Sequence, residues 1–175
     1  DSGVTESTKN VFLESAYFNP VSVRKTARRH GLNTDASFRY ERGCDPNNTL
    51  YVLKFAALLI KEVAGGTISS EVFDNRACDF PPFRVDITFD KINSLIGKEL
   101  EKDVVKTILK GLEIEIESEN DEAMVLNVPT YRVDVQRDVD VIEDILRIYG
   151  YNNVIPGSSV KSSISYSSSV DSLKM

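Results

Sequence analysis

Residues 84–128, RVDITFDKINSLIGKELEKDVVKTILKGLEIEIESENDEAMVLNV, decide the fold. Val85, Ile87 and Phe89 alternate with Arg84, Asp86 and Thr88, the two-residue period of a half-buried strand. Ile92, Leu95 and Ile96 then fall at helical spacing over about 89–96, and Gly97 ends that helix. A second helix of about 101–110 puts Val104, Val105, Ile108 and Leu109 on one stripe before Gly111. Leu112, Ile114 and Ile116 alternate with Glu113, Glu115 and Glu117, a strand with an acidic outward face. The polar turn Ser118–Glu122 returns the chain into Met124–Val128 as the second arm of a hairpin. A strand, two short helices and a hairpin make an α+β unit of winged-helix-like order.

Toward the C-terminus, Asp138 and Gly150 bracket one more helix, with Ile142, Ile145, Leu146 and Tyr149 at i, i+3, i+4, i+7. Residues 157–170 contain eight serines and too little apolar mass to pack, a linker composition. Toward the N-terminus, Asp79-Phe80-Pro81-Pro82 marks a boundary, since paired prolines interrupt helix and ladder alike. Before it, residues 10–18 read as a strand with Phe12, Glu14 and Ala16 on one face. Asn19, Pro20 and Gly31 bracket a helix of about 20–30. Residues 32–44 read as loop and turn. Asp45-Pro46 opens a helix with a buried face of Leu50, Leu53, Ala57, Ile60 and Ala64, ending at Gly65-Gly66, and a short strand is expected at 67–73. The expected organisation is therefore a first unit over 1–78, a second α+β unit over 79–156 and a linker over 157–175.

Across 175 residues, 21 Lys+Arg against 27 Asp+Glu give a net charge of −6, which disfavours a dedicated nucleic-acid or membrane-surface binder. Residues 1–78 carry 10 basic and 9 acidic side chains, and residues 79–175 carry 11 and 18, so the acidity belongs to the second unit. No apolar run reaches the roughly 18 residues of a membrane span, so a soluble chain is expected. Cys44 and Cys78 form neither a disulfide framework nor a zinc motif, which favours a reducing, cytoplasmic compartment. A first residue of Asp1 suggests an excerpt of a longer protein.

Three constellations could carry chemistry. Asp140, Glu143 and Asp144 lie at i, i+3, i+4 on the last helix, on the face expected opposite its apolar stripe, with Asp134 just before it. Four hard oxygen donors without Cys or His nearby suit Mg²⁺. The competing reading is a solvated acidic face neutralised by Arg132, Arg137 or Arg147, which spacing alone favours. Glu14, a carboxylate in an apolar strand, could accept a hydrogen bond from a ligand hydroxyl and so reject a ligand without one. An ion pair with Arg24, Arg39 or Arg42 is the structural alternative. Arg24, Lys25, Arg28 and Arg29 share one helix face, with Arg39, Tyr40 and Arg42 beyond it, a pattern that suits phosphate contacts and base stacking or simple solvation. His30, the single histidine, sits at a helix end where a cation favours the dipole. No GxxxxGK[ST], GxGxxG or HExxH is present, so nothing supports a self-contained nucleotide-using or zinc enzyme.

Two stretches resemble one family. Residues 14–20, ESAYFNP, with residues 27–46, ARRHGLNTDASFRYERGCDP, closely resemble the editing domain of the bacterial phenylalanine–tRNA ligase β subunit. Residues 129–156, PTYRVDVQRDVDVIEDILRIYGYNNVIP, resemble the end of the small domain that follows it in the same subunit. The resemblance implies that Glu14 recognises the hydroxyl of tyrosine mischarged onto tRNA, with Thr34 and Ala36 in the same pocket. It also implies Mg²⁺ at Asp134, Asp140, Glu143 and Asp144, in a site shared with an α subunit; Asp144 stands where the family pattern has Glu. Implied partners are that α subunit, in a heterotetramer of two α and two β, and phenylalanine tRNA, with no DNA and no membrane. ATP would be used by the parent enzyme on the α subunit and not bound by this segment. A winged-helix-like nucleic-acid-binding or structural interaction module is the alternative, opposed by the acidic hairpin strand.

Overall fold

A computed structural model describes residues 3–155; the serine-rich stretch and the linker assignment lie outside the described residues. In the first unit, Pro20–His30 form α1, Asp35–Tyr40 form α2 and Thr49–Ala64 form α3. Asn19 caps α1 by accepting from the Ser22 N–H at 3.1 Å. Gly31 closes it at φ 63°, a left-handed conformation that glycine adopts at least cost.

Four expectations for this unit are overturned. Residues 10–18 and 67–73 are not strands, because no other segment of the described residues offers them a ladder partner and an extended run cannot satisfy its backbone alone. Residues 32–44 are not all loop. Thr34 and Ser37 exchange hydrogen bonds in a capping box, Ser37 N–H to Thr34 Oγ1 at 3.1 Å and Thr34 N–H to Ser37 Oγ at 2.9 Å, which nucleates α2 where no apolar period signals a helix. The helix after Asp45-Pro46 begins at Thr49 and has no buried residue. On the face expected to be buried, Leu50, Leu53 and Ala57 are half-buried and Ile60 is exposed, while Leu58 at 59% and Val63 at 86% exposure face solvent.

In the second unit, Phe83–Thr88 is β1, Phe89–Ile96 is α4, Lys102–Gly111 is α5, Glu115–Glu119 is β2, Ala123–Val128 is β3 and Asp138–Tyr149 is α6. The order β1-β3-β2 is fully antiparallel, so the hairpin's second arm lies at the centre, as in a winged helix. Val85 faces Leu126 and Ile87 faces Met124 across the β1–β3 ladder, and all four are buried. On that face pack Phe89, Ile92 and Ile96 of α4, Val105, Ile108 and Leu109 of α5, and Val141, Ile142 and Ile145 of α6. This is one continuous core. Leu95 and Val104, expected on the inward stripes, are exposed instead. The strand expected from Leu112 begins only at Glu115, because Glu113 takes φ 59°, which a pleated strand cannot continue. A bulge between Ile116 and Ser118 then breaks the two-residue alternation of the glutamates.

The units meet around residues 129–135. Thr130 Oγ1 donates to Asp45 Oδ1 at 2.7 Å and accepts from Asn47 Nδ2 at 3.0 Å, while the same Asn47 amide donates to the Phe80 carbonyl at 2.9 Å. Tyr17 and Phe80 pack edge to face at 5.1 Å. Gly43, at φ 95°, lets the chain pass Val133, whose Cβ would lie 3.2 Å from an added Cβ.

Candidate functional site

The first unit carries a cleft of about 450 Å³ between α1 and α2. Phe18 and Tyr40, edge to face at 5.1 Å, form one wall. Ser22, Thr26, Thr34 and Ser37 supply polar groups to a lining that also includes Val23 and Leu32. Because Thr34 Oγ1 already accepts the Ser37 N–H, its own proton is free to donate to a molecule in the cleft. Of the three residues expected in a pocket, the structure brings Thr34 to the cleft; Glu14 and Ala36 do not line it. Both are exposed, and no arginine pairs with Glu14 among the described residues. A second cleft of about 340 Å³ adjoins the first, sharing Ala27, Leu32 and Ser37 and adding Arg28, Phe38 and Glu41.

The second unit places its carboxylates differently from the helical-wheel expectation. Asp144 is 5% exposed and belongs to the buried side of α6 with Val141 and Ile145, not to the opposite face. The Val141, Asp144, Ile145 spacing of i, i+3, i+4 was the available sign. Burying an ionised carboxylate requires charge-assisted partners. Asp144 has two, an ion pair with the Arg132 Nη2 and one with the Arg147 Nη1 at 3.2 Å. Arg147 also holds Glu143 at 2.7 Å, and Arg132 approaches Asp134 at 3.7 Å.

Asp140 works as a helix cap. Its Oδ2 accepts the backbone N–H of Arg137 at 3.0 Å and the Arg137 Nε–H at 3.1 Å, and Arg137 Nη2 donates to its other oxygen at 2.7 Å. The Arg137 guanidinium, aided by the backbone N–H groups of Gln136 and Arg137, holds the Asp140 carboxyl below its ordinary range. Thus α6 begins with Arg137 at the cap position, not Asp138. Asp138 instead pairs with Lys91 of α4, whose ammonium lowers its carboxyl in the same sense.

Each of the four proposed ligands is therefore engaged by an arginine, and among the described residues no three His, Cys, Asp or Glu side chains gather where they could hold a metal ion. The donor chemistry suits Mg²⁺, and in the present arrangement guanidinium groups already engage every one of these carboxylates. Sequence reasoning named Arg132 as a neutraliser of the acidic face but missed the burial of Asp144 that makes the pair an interior one, and it missed Thr130, Asp45 and Asn47 as the junction between units.

Comparison with known proteins agrees in two separate places. Residues 1–65 match the B3/4 domain, and residues 85–151 match the tRNA synthetase B5 domain. Over 94% of its length the chain is 62% identical to the phenylalanine–tRNA ligase β subunit of Bacteroides fragilis (strain YCH46), covering 20% of that protein. Over 97% it is 51% identical to that of Porphyromonas gingivalis (strain ATCC BAA-308 / W83), covering 21%. Over 88% it is 42% identical to that of Protochlamydia amoebophila (strain UWE25), covering 19%. The chain spans about one fifth of the length of these relatives. With both domain matches in one order and high identity along nearly all of its length, the chain belongs to the phenylalanine–tRNA ligase β-subunit family, as a B3/4–B5 segment of it.

Proposed function

We propose that this chain acts within a phenylalanine–tRNA ligase, the ATP-dependent enzyme that attaches phenylalanine to its tRNA, by contributing part of a pocket that hydrolyses tyrosine mischarged onto that tRNA. The observation that carries the reading is the cleft between α1 and α2, apolar with an aromatic wall and with the Thr34 hydroxyl free to donate into it. Such a lining suits an aminoacyl group on a ribose. In this reading Glu14 and Ala36, which do not line that cleft, belong to a part of the pocket that the rest of the subunit completes, and there the exposed Glu14 carboxylate accepts a hydrogen bond from the tyrosine phenol. A site built around that acceptor disfavours phenylalanine, which leaves the carboxylate unmatched. Hydrolysis is tested in the assembled ligase carrying this β chain. Glu14→Ala should slow deacylation of tyrosyl-tRNA at least tenfold while phenylalanine charging is retained; an unchanged deacylation rate would sink the assignment. The 175-residue chain alone is expected to leave tyrosyl-tRNA intact.

The second unit is proposed to face an α subunit, in an assembly of two α and two β chains, through the acidic side of α6. Mg²⁺ at Asp134, Asp140, Glu143 and Asp144 would have to replace their guanidinium partners there, where it would supply charge neutralisation between subunits. Adding MgCl₂ to the chain alone should leave its melting temperature unchanged, since the arginine pairs already hold these carboxylates. A Mg²⁺-dependent rise would show the ion displacing them.

A further inference from the structure

Helix α2 gives Thr34, Ser37 and Tyr40 to the cleft yet has no buried residue, so packing inside its own unit does little to fix it. Its C-terminal end is held by another route. The Glu41 N–H donates to the Ser37 carbonyl at 2.9 Å and the Gly43 N–H to the Tyr40 carbonyl at 3.1 Å, which carries the helix end into a tight turn. Cys44 Sγ, in the same turn, donates to the Arg39 carbonyl at 3.8 Å. Only Glu41–Cys44 separate α2 from Asp45, so a hold on Asp45 is a hold on α2.

The second unit supplies that hold. Its loop 129–135 leaves the core at Val128 and returns to it at Val135, both buried, and Arg132 ties the loop to the buried Asp144. A segment anchored in this way is a firm base. From it the Thr130 hydroxyl, itself nearly buried, donates to Asp45 Oδ1 at 2.7 Å, the short charge-assisted kind of hydrogen bond, and accepts from Asn47 Nδ2 at 3.0 Å. Beside it Val133 occupies the space that Gly43 leaves open, with its Cβ and both methyl groups 3.2–3.3 Å from where a Gly43 side chain would begin. Turn and loop therefore meet twice, at Asp45 with Thr130 and at Gly43 with Val133.

We infer that Thr130 is a positioning residue for the cleft: through Asp45, the loop of the second unit sets where α2, with its Thr34 hydroxyl and Tyr40 ring, stands against α1. The inference rests on the reading of that cleft as part of a hydrolytic pocket. The second unit then contributes to hydrolysis without touching the substrate. Losing the Thr130 hydroxyl frees the end of α2, and a displacement of about 1 Å at a group that orients the reacting bond costs up to roughly a hundredfold in rate.

The test is made in the assembled ligase carrying this β chain. Thr130→Val should lower kcat for tyrosyl-tRNA deacylation about tenfold, with KM and phenylalanine charging within about twofold, because the contacts that bind the substrate remain and only their alignment is lost. Thr130→Ser keeps the hydroxyl and should restore the rate. Ile92→Ala on α4 opens the same core while removing none of the junction contacts, and should leave kcat unchanged. A second readout uses the 175-residue chain, in which Cys44 is half-buried and Cys78 exposed. Alkylation of Cys44 by iodoacetamide, measured against Cys78, should rise about fivefold in Thr130→Val and return to the wild-type ratio in Thr130→Ser. The inference is overturned if Thr130→Val deacylates at the wild-type kcat, if Thr130→Ser fails to rescue, if Ile92→Ala slows the reaction as much, or if Cys44 alkylation is unchanged. The editing reading fails separately: Glu14→Ala without effect on deacylation, beside faster Cys44 alkylation in Thr130→Val, would remove the pocket and leave the hold on α2.

Discussion

Thr130 Oγ1 donates a hydrogen bond to Asp45 Oδ1 at 2.7 Å, although 85 positions separate the two residues in the chain. With Asn47 bonded to the same hydroxyl and to the Phe80 carbonyl, this contact fixes the end of the first unit against the loop that leads into α6. The loop's next residues, Tyr131 and Arg132, reach Glu113 and Asp144, so one short segment ties the first unit, the turn between α5 and β2 and the last helix together.

Thr130→Val keeps the shape and removes both hydrogen-bond functions from a site that is nearly buried. Leaving Asp45 and Asn47 without that partner should cost about 1–3 kcal/mol. The readout is limited proteolysis: cleavage between Tyr40 and Phe80 should accelerate while the second unit's core stays protected. Equal protection of both segments would mean that the junction does not hold the first unit.

Arg132→Leu should destabilise the second unit by about 3 kcal/mol, because it strips one of two cationic partners from a buried carboxylate. Adding Asp144→Leu should recover most of the loss, since the buried charge is then gone and apolar side chains fill the site. Chemical denaturation of the single and double variants measures the difference. A double variant no better than the single would contradict the ion-pair account.

Acid should remove a stabilising contribution from the start of α6. The Asp140 and Asp138 carboxyls lie below their ordinary value of 3.8, held by Arg137 and Lys91 respectively. A group depressed in the folded state contributes above its unfolded value and loses that contribution as pH falls through the folded one. Melting temperature should therefore decline on acidification below 3.8, and Asp140→Asn should flatten that decline while lowering stability at neutral pH. An identical pH profile in the variant would contradict this.

Leu126→Ala should cost about 2–5 kcal/mol, since the side chain is fully enclosed between sheet and helices. Leu58→Ala on α3, where the side chain meets solvent, should change stability by no more than about 0.5 kcal/mol. Thermal melts of the two variants separate the enclosed core from the open helix. A comparable loss at both positions would place α3 in a core.

Local sequence made most of the second unit legible. The alternation at Val85 and Ile87, the helical spacing of Ile92 with Ile96 and of Ile108 with Leu109, and the glycine stops at Gly97 and Gly150 all act within a few residues, and each element formed close to its expected bounds. The same patterns failed in the first unit. An extended, aromatic run at 10–18 signals a strand, yet a strand exists only with a neighbour to receive its hydrogen bonds. The apolar period of α3 signals burial, yet burial exists only with something packed against it.

For the site, residue type and spacing located the carboxylates of α6 and the cations of α1, and Thr34 came from the family resemblance. They also raised both fates for those carboxylates, metal ligands or arginine partners. What they could not decide is which charge meets which. Arg132 lies 12 positions before Asp144, outside any helical rule, and the pair forms because the loop from Pro129 folds back over α6. Thus the sequence by itself determined the elements of the second unit, its acidic character and the family. Tertiary structure alone decided that Asp144 lies inside, that Asp140 caps a helix and that Thr130 joins the units. The physical reason is range: propensity, capping and periodicity act over one or two turns, whereas ion pairing and burial depend on groups that only the folded chain brings together.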